Sequence, residues 1–66
     1  MIKQIHWEPG ASVDDEIYAA EVSGYKVKAV WNIGMGEMEE CDPKATSSYE
    51  FMEIDDEKKT VTFVSL

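Results

Sequence analysis

The sequence predicts a mostly β fold: a small antiparallel sheet of four to five strands, rolled into a barrel or a sandwich-like meander, in one domain spanning residues 1–66. Three observations lead there. "YEFMEI" and "TVTFVSL", in the last third, are rich in the aromatic and β-branched residues that strands favour. Tyr25, Val27, Ala29, Trp31 and Ile33 alternate with Lys26, Lys28, Val30 and Asn32, the period of two of a strand. The two prolines and four glycines fall between these runs, where they divide the chain.

The first element is "MIKQIHW", a strand in which Ile5 and Trp7 share a face, ended by "EPGAS". The segment that follows, 13–23, admits two readings. As a strand it meets the next one in a hairpin with Ser23 and Gly24 at its tip, pairing Val22 with Tyr25, Glu21 with Lys26, Ala20 with Val27 and Tyr18 with Ala29. Apolar then meets apolar and acid meets base, and this register favours the strand. As a short helix, making the fold α+β, it has Ser12 as cap, Asp14, Asp15 and Glu16 at the positive end of the dipole, and Gly24 as its stop. Its stripe would be thin, only Val13, Ile17 and Ala20.

The strand from Tyr25 closes at Gly34 and Gly36, glycines that mark a bend at its end. "EMEECDPKATSS" then reads as an acidic, turn-rich connection, long enough that a helical turn near 42–47 is expected, with Pro43 in its first position. Last comes a hairpin across "DDEKK". A three-residue loop at 56–58 sets Asp55 opposite Lys59 and Phe51 opposite Phe63, and asks Lys58 to take the left-handed conformation. Ile17 and Val30 lie opposite the Tyr25 face, and Met52, Ile54 and Val64 opposite Phe51 and Phe63. A flat sheet would leave one apolar row wet, which is why the sheet should roll, or else cover its second face with a partner in a homodimer.

Composition narrows function. A chain of 66 residues buries only about 60% of its unfolded surface. A single cysteine, Cys41, offers no internal disulfide, so stability must come from the core alone or from association. "MIKQIHWEPG" places polar residues where a signal peptide carries an apolar core, and no run is long enough to span a membrane; the expected setting is the cytoplasm. The net charge is −8, from fourteen acids against six lysines and no arginine. Direct nucleic-acid binding needs cationic side chains to displace counterions, and this chain has no basic patch to offer.

No catalytic, cofactor or metal motif stands out. His6 and Cys41 are the only groups with near-neutral chemistry, and nothing in the sequence brings them together. "EMEECD" lacks the alternating oxygen ligands of a calcium loop and the second thiol or imidazole of a zinc site. "GMG" lacks the lysine and third glycine of a phosphate loop. No enzyme and no cofactor are expected.

What remains is the placement of charge. The sequence is read as a small acidic inhibitor, encoded by a phage or mobile element, that blocks a basic nucleic-acid-handling protein by charge mimicry. The residues assigned to the partner are Glu37, Glu39, Glu40 and Asp42 with Met38 as an exposed apolar anchor, and a second patch at Asp14, Asp15 and Glu16. The alternative is a structural or assembly module that homo-oligomerises or docks on a larger complex, its charge only solubilising.

Overall fold

The computed structural model describes residues 2–66. The fold is mostly β: five strands in one sheet, one α-helix and one 3₁₀ turn. In chain order these are β1 (Ile2–His6), α1 (Val13–Val22), β2 (Lys26–Gly34), β3 (Glu37–Cys41), the turn Pro43–Ala45, β4 (Phe51–Asp55) and β5 (Thr60–Ser65). The sheet runs β1-β4-β5-β2-β3, so the β4–β5 hairpin is inserted between the first strand and the β2–β3 hairpin.

The expected β-rich, mostly antiparallel sheet is present, and its rolled meander is corrected in three ways. The sheet is open, with β1 and β3 as free edges. It is mixed, because β2 and β5 pair in parallel from Lys26↔Thr60 to Trp31↔Ser65. And segment 13–23 takes the helical alternative, so no hairpin forms at Ser23 and Gly24.

The helix wins because both of its ends are closed. The Ser12 hydroxyl accepts from Asp15 N at 3.4 Å. At the other end Gly24 adopts φ 87°, and Tyr25 N donates to Ala20 O while Gly24 N donates to Glu21 O, the double closure of a Schellman motif. With residues 13–22 withdrawn into a helix, the edge of β2 that they would have filled is taken by β5.

The last hairpin forms where expected, one residue out of register. Its loop spans four residues, 56–59, so Asp55 faces Thr60, Phe51 faces Val64 and Met52 faces Phe63. The Asp55 carboxylate accepts from Glu57 N and Lys58 N at 3.0 and 3.1 Å, drawing an extra residue into the loop, and Lys59 rather than Lys58 takes the left-handed position at φ 53°. A one-residue slip exchanges faces. Met52 and Ile54 therefore share Phe63's face, and Val64 lies with Phe51 on the other.

The registers define one row of side chains across each face. On the inner face it runs Ile5, Met52, Phe63, Ala29, Cys41; on the outer face, His6, Phe51, Val64, Val30, Glu40. Val13 and Ile17 of α1 pack on the inner face with Ala29, Val61, Phe63 and Tyr49 to form the core, in which Phe63 and Ala29 are fully buried. Trp7, Tyr49 and Phe63 close one end of it with ring centroids 5.2–5.8 Å apart. The Tyr49 hydroxyl donates to Pro43 O at 2.7 Å, fastening the 3₁₀ turn over that end. The turn is built as the sequence predicts: Pro43 leads it and the Asp42 carboxylate accepts from Lys44 N at 2.9 Å.

Candidate interaction surface

The acidic connection read as turn-rich begins with a strand. Glu37, Met38, Glu39 and Glu40 lie on β3, the outermost strand, where the GMG stretch makes a hairpin turn with φ of 115°, 51° and 78° at Gly34, Met35 and Gly36. Asn32 Oδ1 accepts from Gly34 N at 2.7 Å and fixes the bulge that starts this turn. Strand β5 pairs with β2 only as far as Trp31, so beyond it the hairpin continues as a two-stranded arm.

The arm is both acidic and apolar. Glu37, Glu39 and Glu40 stand opposite Gly34, Trp31 and Val30, so none of the three has a charged cross-strand partner. Glu39 belongs to the inner face and Glu40 to the outer, so the carboxylates straddle the edge instead of forming one flat face. Among them are exposed apolar side chains: Met38, the anchor named from sequence, together with Trp31, Ile33 and Met35, which is fully exposed at the tip.

The other assigned residues divide. Asp42 follows β3 directly, but its carboxylate is engaged in capping the 3₁₀ turn. Asp14 lines a shallow polar hollow with Lys44, Thr46 and Ser47, so the start of α1 sits beside that same turn and extends the acidic ridge. Asp15 is exposed on the helix. Glu16 turns away toward β1 and β4, where it borders a groove with Ile5 and Met52. Three lysines lie away from β3, Lys58 and Lys59 in the β4–β5 loop and Lys3 on β1; Lys26 and Lys28 open the neighbouring strand β2, and Lys44 sits in the turn after β3 beside Asp14. The arm itself contains none.

Sequence reasoning missed Trp31, Ile33 and Met35 as part of this surface. A usable signal was present, since two glycines flanking one residue between alternating runs mark a hairpin as well as a strand end.

His6 and Cys41 lie on opposite edge strands and opposite faces of the sheet, four strand spacings or about 19 Å apart, so they form no nucleophilic pair. Burial pushes the Cys41 thiol up, outweighing a hydrogen bond with Tyr49 that lowers it, and Asp42, Glu39 and Glu40 nearby push it further up. Among the described residues no three His, Cys, Asp or Glu side chains gather as a metal site, and no helix is long and apolar enough to cross a membrane. Compared with protein-family models, with curated protein sequences and with solved structures, the chain matches none. Fold and surface together define it as a small open-sheet protein with an acidic, apolar-tipped edge.

Proposed function

We propose that this is a small cytoplasmic binding protein, of phage or mobile-element origin, that inhibits a basic nucleic-acid-handling protein by occupying the groove meant for nucleic acid. The observation that carries this reading is the β3 arm: three carboxylates on an edge strand whose directly opposite residues are uncharged, in a two-stranded arm that itself holds no lysine, Lys28 of β2 being diagonal to Glu40. Glu37 to Glu40 spans about 10 Å at strand spacing, and one strand of a DNA duplex carries about three phosphates in that length. The line charge is thus comparable with what a basic groove evolved to hold. Met35, Met38 and Trp31 add apolar contacts that nucleic acid lacks, a means for the decoy to outlast its competitor in salt.

The test is competition. A partner captured on the immobilised protein from nuclease-treated lysate of the encoding cell is expected to lose its hold on DNA or RNA as this protein is titrated in. A captured partner that binds nucleic acid undiminished at saturation would remove the inhibitory role.

A second reading, the assembly module, is favoured by one feature: the part of the inner sheet face that α1 does not cover.

A further inference from the structure

Helix α1 packs over β2 and against the 3₁₀ turn, and leaves the β1–β4 side of the inner face open beside it. There a groove of about 330 Å³ runs between helix and sheet, floored by Ile5, Met52 and Ile54 and walled by Ala19, Ala20 and Ser23. A second hollow, sharing Ile5, Glu16 and Met52, continues it to Trp7 and Ala11, so the opening follows the helix along its length. The helix is apolar on two opposite sides. Val13 and Ile17 face the sheet, while Tyr18 and Val22, one turn apart, stand away from it at 70% and 68% exposure.

We propose that two copies of the chain associate isologously, each laying its α1 antiparallel into the other's groove, so that a layer of two helices is enclosed by two sheets. Tyr18 and Val22 of one copy would then cover the Ile5, Met52 and Ile54 floor of the other. The dimensions agree: five strands span about 19 Å between outer strand axes, the room two helices need at 8–10 Å interaxial spacing, and each copy has one. Ala19, Ala20 and Ser23 are small enough to let the second helix approach closely.

Charge selects the antiparallel direction. The groove end beside Ser23 holds Lys3, with Lys59 stacked on Tyr25 nearby; Asp56, the acid lining that end, already accepts from the Tyr25 hydroxyl at 2.7 Å. An antiparallel neighbour brings its own Asp14 and Asp15 to that end. Association also supplies what a chain with one cysteine lacks, a staple for a small core. A stable contact takes about 600 Å² from each copy, roughly an eighth of the 4720 Å² surface. Against it stands the repulsion of two chains of net charge −8. Screening over about 8 Å at physiological salt suppresses that long-range term while sparing close Lys3–Asp15 pairs.

Sedimentation equilibrium from 1 to 500 µM, at low and at 0.5 M NaCl, tests the proposal. The expected result is a monomer–dimer equilibrium that tightens as salt rises, opposite in sign to binding of a basic partner through β3. Tyr18→Glu and Ala19→Glu, exposed helix positions whose folding is checked by circular dichroism, should each weaken it at least tenfold. Lys3→Glu should weaken it too, and Lys3→Glu combined with Asp15→Lys should restore it. A monomer throughout at 0.5 M NaCl, leaving the groove to a helix of another protein, overturns the proposal, as does a dimer indifferent to both helix variants.

Discussion

Tyr49 shows how one side chain joins fold and chemistry. Its ring lies in the core and its hydroxyl holds the 3₁₀ turn through Pro43 O, and burial pushes its ionisation up to about 12. A raised tyrosine contributes stability that is complete below pH 10 and is lost as pH climbs toward 12, because the unfolded chain ionises there and the folded one resists. Denaturant titrations between pH 9 and 12 should therefore show a loss of roughly 2 kcal/mol that is absent in Tyr49→Phe. The same variant should cost about 1 kcal/mol at neutral pH for the missing hydrogen bond. Met35 makes the opposite trade. It sits at φ 51° with its side chain wholly in water, a backbone conformation that costs a non-glycine residue roughly 1 kcal/mol. Met35→Gly and Met35→Asn should raise the unfolding midpoint, and if the tip is an anchor they should weaken partner binding at the same time.

At the scale of elements, what was legible in the sequence is local. The capping chemistry of the 3₁₀ turn was read off Asp42 and Pro43, and the ends of α1 off Ser12 and Gly24. Choosing between helix and strand for 13–23 required weighing those caps against a cross-strand register that looked complementary and does not form. Two closed helix ends outweigh unrealised pairings, and each can be measured: Ser12→Ala should cost about 0.5–1 kcal/mol, and Gly24→Ala, forced to φ 87°, about 1 kcal/mol or more, by urea denaturation. The parallel β2–β5 pairing was not legible, because it joins segments far apart in the chain and no local pattern encodes it. The slip in the last hairpin came from Asp55, whose carboxylate is spent on loop amides instead of on Lys59. Acid–base pairing across a hairpin is a weaker constraint than satisfying the turn's own N–H groups.

Over the whole molecule the acids do not form a flat plate. Only some of them follow an edge, Glu37, Glu39 and Glu40 on β3 with Asp14 beside the adjoining turn; Glu16 faces a groove on the other side of the helix, Glu53 and Asp55 lie on β4, and Asp56 and Glu57 in the loop after it. Composition gave the sign and size of the charge and picked out these residues. It could not show that a strand carries them, since "EMEEC" has neither the β-branched content nor the alternation that marks one. The arm's apolar tip was hidden for the same reason: Trp31 and Ile33 read as ordinary strand positions until the ladder with β5 is seen to stop short of the turn.

The central claim is positional, that charge on β3 and not charge in general makes the binding surface. The most direct measurement compares two triple variants with equal change in net charge, Glu37→Gln/Glu39→Gln/Glu40→Gln and Glu8→Gln/Glu50→Gln/Glu53→Gln, for association rate with the captured basic partner across a salt series. The expected result is a fall of at least tenfold at low salt, with a shallower salt slope, for the β3 variant alone. Equal effects from both variants, or a rate insensitive to salt in the unaltered protein, would contradict it.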